Sequence, residues 1–373
     1  MKYLLLLFCV LLVFISCSNK SNVKEKDSNL QIEHLANNKV DYDTTLFDFE
    51  PDIRLFTTMA FANISGYDFE NTDSMSIDRI GLRNSLDSIL TIEYKDKISE
   101  ASKNDFFASI GKKAFSLSDP PHFIWLPDSL NLNHPAKKDS TYLELINEFY
   151  KVAKISDLWK KYESKLREAN YQYIPFSSLA IDDILEYCRC SKDIFNVKKI
   201  VFNICPFMQN ESGFTEYSNS QIYIVVSPRI EEPGPQAFYH EALHNVINPI
   251  VDGFTQKQIK KLLDASRVGF SERMKKMHGN YVGGYPFISE CMVRTIDYIL
   301  REKHFNYSKE KTLNEINNQY SYGLTLIPFF YEQLKEYETG SISLEEYFTT
   351  IIENYSFELE KERWQNFQMN GKY

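Results

Sequence analysis

The sequence predicts a mainly helical α+β protein with a small mixed sheet and a helix that carries a His-Glu-x-x-His motif. In residues 48–192 the apolar residues recur mostly at three- and four-residue spacing, which is typical of amphipathic helices. Residues 197–205 and 221–227 are short β-prone runs. The motif occupies residues 240–244, after the second run. We therefore expect a mainly helical N-terminal region, 48–192, followed by a mixed core, 193–373.

Length, composition and charge indicate a globular protein that does not bind nucleic acid. The chain has 373 residues, of which 43% are hydrophobic and 14% aromatic, enough for one large or two closely associated domains. Its net charge of −9 is spread along the sequence without a basic block. Because nucleic-acid binding needs a basic surface, we do not expect a nucleic acid as partner.

The N-terminus resembles a bacterial lipoprotein signal. Met1-Lys2 precedes an apolar run at 3–15, which is too short to span a bilayer stably. Ser16-Cys17 follows, a small residue directly before a cysteine, and in such signals the chain is cut before the cysteine, which then carries lipid. A plain secretory signal cut nearby is the alternative. Both interpretations predict an exported protein.

The signal interpretation divides the chain before its folded body into two parts. We expect residues 1–17 to be the signal peptide and 18–47 to be a flexible tether, since the latter are rich in Ser, Asn, Lys and Asp. Lipid on Cys17 would anchor the protein to a membrane. Ser18-Asn19-Lys20 contains no clear inner-membrane retention signal, which favours the outer membrane.

Four cysteines remain once Cys9 and Cys17 are set aside: Cys188, Cys190, Cys205 and Cys291. An even number in an exported protein permits disulfides. The chain has no Cys-x-x-Cys pair, so a cysteine-based zinc site is poorly supported. We predict buried free thiols.

Individual helices and strands can be placed along the chain. Apolar spacing predicts helices at 53–64 (closed by Gly66), around 80–98, at 141–168 and at 182–188, with a break at 119–121. The strands are expected at 197–205 and 221–227, and the polar residues 209–220 suit a hairpin or a wide loop. Pro235 fits the first turn of the motif helix and Asn248-Pro249 fits its end.

The motif predicts a metal site. His240 and His244 lie one turn apart on a helix, so their side chains can converge on one ion. Glu241 sits beside that face, where it could take a proton from water and act as general base. The alternative is an ordinary helix with two histidines facing a polar neighbour. Strand, loop and then motif helix is the order expected in zincins, whose edge strand binds extended substrate.

A catalytic zinc site usually needs a third protein ligand. Ile247 and Ile250 stand where the metzincin pattern requires Gly and His, which excludes that class. Other candidates are Asp252, eight residues after His244, and two residues without a recognisable motif, Glu272 and His278.

Glu290 is the best candidate for the third ligand. It lies near the start of a predicted helix at 287–300, after the break at 283–286. Two helices that clamp the ion side by side are the arrangement of gluzincins, in which a glutamate on the second helix binds zinc. The alternative is an ordinary surface ion pair between Glu290 and Arg294, worth a few tenths of a kcal/mol.

The chain also resembles an uncharacterised family of bacterial exported proteins, many of them lipoproteins, that share a domain of unknown function. Its hallmarks are His-Glu-x-x-His-x-x-x-Asn-Pro, here at 240–249, and a later Glu-x-x-x-Arg, here at 290–294. An early Asp-x-Arg and a Gly-Tyr match Asp52-Ile53-Arg54 and Gly66-Tyr67. The resemblance implies a zincin-like, gluzincin-type fold for most of residues 50–335, but no substrate.

These observations lead to a functional hypothesis. We expect a zinc metallopeptidase that acts on a peptide or protein, with Zn²⁺ held by His240, His244 and Glu290 and with Glu241 as general base. The alternative is a non-catalytic lipoprotein that keeps the zincin frame to bind a peptide or glycan. A closed structural zinc site fits badly, because such sites are rich in Cys.

Some roles in this hypothesis stay open. Candidates for stabilising an oxyanion are Tyr320, Tyr322 and His304. Asn245 and Asn248 could orient a ligand or the motif helix, and Asn248 could instead cap that helix.

Overall fold

A computed structural model describes residues 46–65, 76–102, 107–127, 140–208, 212–228, 234–276, 283–305 and 307–371. From residue 46 onward the described residues belong to one compact unit. Several predicted features lie outside these ranges: the signal peptide with Cys17, almost all of the tether, Gly66-Tyr67 and His278. No described helix combines the length and the apolar character needed to cross a membrane.

The first half of the described chain is mainly helical, as predicted. Its helices are α1 (Ile53–Ile64), α2 (Ile77–Ile89), α3 (Ile92–Ser102), α4 (Phe107–Lys113), α5 (Ser140–Val152) and α6 (Ile155–Cys188). The start of α1 follows from its N-cap, because the Asp52 side chain accepts a hydrogen bond from the Arg54 backbone N–H at 2.7 Å. The predicted helix at 53–64 is therefore confirmed.

The other predicted helix boundaries in this half differ from the structure. The single helix expected around 80–98 is two helices, because Leu90 adopts an extended conformation. The stretch 141–168 is also divided, at Lys154, which has a left-handed conformation. The segment 182–188 is not a separate helix but the end of the 34-residue α6, which continues through Pro175. Spacing of apolar residues detects the helices but not these single-residue interruptions.

The described strands form one four-stranded mixed sheet in the order β1-β2-β4-β3. They are β1 (Phe47–Asp48), β2 (Lys199–Ile204), β3 (Gly213–Ser218) and β4 (Gln221–Val226). β2 runs parallel to both β1 and β4, and β3 runs antiparallel to β4. The predicted α+β architecture, mainly helical with a small mixed sheet, is confirmed.

Two details of the sheet correct the prediction. The stretch 209–220 is not only a loop, because it contains β3. The hairpin joins β3 to β4, with positive φ at both Asn219 and Ser220, the combination that tight two-residue turns require. Phe47, assigned to the tether, instead pairs with Ile200 in the sheet.

The second half of the described chain is helical after β4. Its helices are α7 (Tyr239–Asp252), α8 (Lys260–Ala265), α9 (Phe270–Lys276), α10 (Tyr285–His304), α11 (Lys309–Ser321), α12 (Leu326–Tyr337), α13 (Leu344–Asn354) and α14 (Phe357–Asn370). The motif helix α7 packs against α10 and against the sheet through β3 and β4. α10 contains the whole predicted segment 287–300.

The motif helix does not end at Asn248-Pro249 as predicted, but continues to Asp252. A proline inside a helix costs about 3 kcal/mol. Burial of one large apolar side chain returns about 1.5–3 kcal/mol, and the last turn buries both Ile250 and Val251. Packing therefore outweighs the proline. Pro235 lies in a short 3₁₀ turn just before α7 rather than in its first turn.

The two predicted regions share one hydrophobic core. It combines buried residues from α1, α2, α5 and α6 with residues from β3, β4 and the segment after β2. Phe56 of α1 shows the connection, since its ring packs at 5.4 Å from Phe207, just after β2, and at 5.5 Å from Trp159 of α6. The sheet that supports α7 is thus fixed on its other side by the N-terminal helices.

Candidate metal centre

The motif helix presents its two histidines because its other side is strongly apolar. Ala242, Leu243 and Val246 are completely buried. His240 and His244 lie on the opposite, partly open side, with 22% and 16% of their side chains exposed. Their ring centroids are 5.0 Å apart. Helical periodicity alone therefore brings the two imidazoles to one place, as predicted.

Glu290, in the second turn of α10, completes the group. Its Oε1 lies 3.7 Å from His240 Nε2, and its Oε2 lies 3.4 Å from His244 Nε2. One ligand atom from each of the three residues can be chosen so that all lie within 4.8 Å of one another. The packing of α10 against α7 thus brings the predicted third ligand to the histidine pair.

The surroundings of Glu290 fit an ion. The side chain is only 1% exposed, and Arg294 donates a hydrogen bond from Nε to Oε1 at 2.5 Å. Oε2 is buried and has no hydrogen-bond partner, since His244 Nε2 at 3.4 Å is too distant for a good charge-assisted bond. A buried carboxylate oxygen left without a partner costs free energy, and a cation would satisfy it. Two imidazoles and one carboxylate are a donor set that zinc accepts in catalytic sites.

Electrostatics favours an ionised carboxylate in this group. Burial raises the pKa of Glu290, but Arg294 and the two histidines outweigh it and hold the pKa well below its usual range. Burial lowers the pKa of His240 to about 3, so this imidazole is neutral at pH 7. Burial also acts to lower the pKa of His244, but the adjacent Glu290 carboxylate raises it overall. A neutral His240 and an ionised Glu290 are in the state required for metal binding.

Glu241 lies beside the group formed by His240, His244 and Glu290 and is largely shielded from water. Only 8% of the residue is exposed, and burial raises the pKa of its carboxyl to about 7. A carboxyl that titrates near neutral pH can accept a proton and release it again during turnover. The position and the pKa of Glu241 both suit the predicted general base.

Two asparagines on α7 position the site. Asn248 Oδ1 lies 3.3 Å from His244 Nδ1, so it can hold the imidazole with Nε2 towards Glu290. Asn245 donates from Nδ2 to the Glu241 carbonyl oxygen and to Thr215 Oγ1, both at 3.0 Å. The sequence indicated both asparagines. It did not indicate Thr215, because β3 was not predicted as a strand.

Two of the remaining candidate ligands, Asp252 and Glu272, are among the described residues and do not belong to the group. Asp252 is an exposed residue eight positions after His244, about 12 Å along the helix. Glu272 is half-buried on α9, where it accepts a hydrogen bond from Ser271. Among the described residues, the group that could hold a metal ion is His240, His244 and Glu290.

Two of the residues suggested for stabilising an oxyanion are engaged elsewhere. His304 is fourteen residues after Glu290 on α10, about 21 Å along the helix, and its Nδ1 lies 3.8 Å from Asp183 Oδ1. Tyr320 is completely buried and donates its hydroxyl to Glu360 at 2.8 Å. Tyr322 directly follows α11 and forms its C-cap. His304 and Tyr320 are therefore wrong for that role.

The four cysteines outside the signal segment are free thiols, as predicted. Cys188, Cys205 and Cys291 are buried, and Cys190 is half-buried. Burial raises the pKa of the Cys205 thiol to about 12 and that of Cys190 to about 11, so neither supplies a thiolate at neutral pH.

Comparisons of the chain with protein-family models, with curated proteins and with solved structures gave no match. The function is therefore inferred from the geometry of the site.

Proposed function

We propose that this protein is a zinc-dependent peptidase with a gluzincin-type zincin site. The observation that carries the proposal is the convergence of His240, His244 and Glu290, from two packed helices, next to the buried carboxyl of Glu241. In this site the two histidine Nε2 atoms and the Glu290 carboxylate would hold zinc. The ion would supply Lewis acidity, which polarises a carbonyl group and makes water more acidic.

The residues of the chain have separate tasks in this mechanism. Glu241 takes a proton from the attacking water onto its carboxylate and passes it to the leaving amine. Burial keeps water away from this carboxyl and raises its pKa in the metal-free site, which favours uptake of the proton. Arg294 keeps Glu290 ionised, and Asn248 holds the His244 ring in place.

The substrate we propose is a peptide or protein in an extended conformation. β3 is one of the two edge strands of the described sheet and packs against α7, beside Glu241 and Asn245. An edge strand offers backbone N–H and C=O groups with which an extended peptide can pair.

We also propose that the protein is exported and anchored to a membrane by lipid on Cys17. The motivating pattern is the short charged and apolar start followed by Ser16-Cys17. Cys17→Ser should move the protein from the membrane fraction to the soluble fraction. Unchanged membrane sedimentation of this variant would contradict the lipid anchor.

Cleavage of a diverse peptide library tests the proposed activity. The purified protein should cut peptides, lose the activity in a strong chelator and regain it with added zinc. Glu241→Gln should bind zinc but lose activity by about 10²–10⁴-fold, because it removes the proton acceptor. Bound zinc without cleavage of any peptide by the wild type would favour the non-catalytic binding protein instead.

A further inference from the structure

The first residue of β3 lies directly against the proposed general base. Gly213 approaches Glu241 so closely that a Cβ atom at position 213 would be 2.7 Å from Glu241 Cγ and 2.9 Å from Glu241 Oε1. Non-bonded carbon atoms prefer separations of about 3.5–4.0 Å. Any side chain at this position therefore requires the strand or Glu241 to move.

The strand is fixed on both sides of Gly213. Before it, the Ser212 carbonyl oxygen accepts from the Ser227 backbone N–H at 2.9 Å, and the Ser212 N–H donates to Ser227 Oγ at 3.1 Å. After it, Thr215 Oγ1 accepts from Asn245 Nδ2 at 3.0 Å, which ties β3 to α7. The Val225 carbonyl oxygen lies 3.0 Å from the Cβ position and blocks another direction of relief.

Glu241 is the more movable of the two partners. Its backbone belongs to α7, and its carbonyl oxygen accepts from Asn245 Nδ2 at 3.0 Å. Its side chain is a buried but rotatable chain of two methylenes that ends in the carboxylate. A Cβ at position 213 would therefore displace this carboxylate rather than the helix or the strand.

We infer that Gly213 is a positioning residue, whose missing side chain leaves the space that the Glu241 carboxylate needs beside the ligand group. This inference rests on the proposed peptidase function for its catalytic consequence, while the packing between the two residues does not depend on that function. In this arrangement β3 restricts the positions that the side chain of Glu241 can adopt.

A double-mutant cycle tests the packing. Gly213→Ala should lower the midpoint of thermal unfolding by a few degrees in the wild-type protein. In the Glu241→Ala background, which lacks both clashing atoms, the same substitution should cost clearly less. Gly340→Ala is the matched control, since a Cβ there would lie 3.6 Å from the Tyr337 carbonyl oxygen, an ordinary contact.

Kinetics tests the catalytic consequence in the zinc-loaded full-length protein. Gly213→Ala should keep the zinc content and KM of the wild type but lose about 100-fold in kcat, the effect of moving a reacting group by about 1 Å. Gly340→Ala should keep both constants. Wild-type kcat in Gly213→Ala, or a rise in KM alone, would overturn the positioning role.

The two measurements separate this inference from the proposed function. Equal losses of thermal stability from Gly213→Ala in both backgrounds would show that position 213 does not confine Glu241, whether or not the protein cleaves peptides. A wild-type protein that binds zinc without cleaving peptides would refute the peptidase, and the cycle alone would then decide the packing inference.

Discussion

Glu290 is a fully buried carboxylate that contacts a guanidinium and two imidazoles at the same time. Helical spacing predicted its pair with Arg294, and the pair is present at 2.5 Å. It is not the ordinary surface ion pair that was the alternative to a metal ligand, because Glu290 is 1% exposed. The contacts with His240 and His244 arise from the packing of α10 on α7, which the sequence indicated through the motif and the position of the second helix.

Removal of Glu290 should abolish tight metal binding. Glu290→Ala deletes one of three ligands, and we expect its zinc affinity to fall by more than about 100-fold, beyond the loss typical of residues that only orient a ligand. Competition with a chromophoric chelator measures this affinity. The control is Glu272→Ala, at another acidic candidate, which should bind zinc like the wild type. Weak zinc binding by Glu272→Ala together with normal binding by Glu290→Ala would identify Glu272 as the third ligand instead.

Single residues with common side chains were hard to assign from the sequence. Tyr320 and His304 were candidates for stabilising an oxyanion, but each of them contacts a side chain of another helix instead. Tyr320 donates to Glu360 of α14, and His304 faces Asp183 of α6. With 24 Tyr in the chain, a tyrosine role depends on tertiary contacts that local spacing does not encode.

At the scale of elements, regular spacing of apolar residues predicted helices and strands better than single prolines or glycines predicted where they end. α1 and α10 were predicted from apolar residues at helical spacing, α7 from the His-Glu-x-x-His motif, and β2 and β4 from their β-branched residues. β3 was missed because its sequence, Gly-Phe-Thr-Glu-Tyr-Ser, is short and half polar, without the run of β-branched residues that marks β2 and β4. Pro249 suggested a helix end, but tertiary packing of the following residues overrides it.

The contact between α14 and α11 should make stability depend on pH. Glu360 is 2% exposed, and burial raises its pKa to about 7, from 4.5, although Arg363 and the Tyr320 hydroxyl oppose the shift. A carboxyl whose folded pKa is raised stabilises the fold below the unfolded pKa, and this contribution is lost as the pH rises through 7.

Glu360→Gln isolates this contribution, because glutamine stays neutral at every pH. Relative to the variant, the wild type should lose up to about 3 kcal/mol of unfolding free energy between pH 4 and pH 9. Denaturant titrations at both pH values provide the measurement, with the exposed Glu358→Gln on the same helix as control. A pH-independent difference between wild type and Glu360→Gln would contradict a raised pKa.

At the scale of the whole molecule, the predicted N-terminal region and the predicted core form one compact unit. The boundary near residue 192 separates a helical part from a mixed part of the chain, but not two hydrophobic cores, since Phe56, Phe207 and Trp159 pack together. A sequence pattern shows which side of a helix or strand is apolar. It does not show which elements pack against one another, and the shared core depends on that packing. The N-terminal helices thereby stabilise the sheet against which the motif helix α7 packs.

The identity and ligands of the bound metal provide the most direct test of the central claim, that His240, His244 and Glu290 form a zinc site. Elemental analysis combined with X-ray absorption of the purified protein should find one zinc per chain. It should also find nitrogen and oxygen ligands at about 2.0–2.2 Å and no sulfur at about 2.3 Å. A protein without bound zinc, or zinc with sulfur ligands from the cysteines, would contradict the claim.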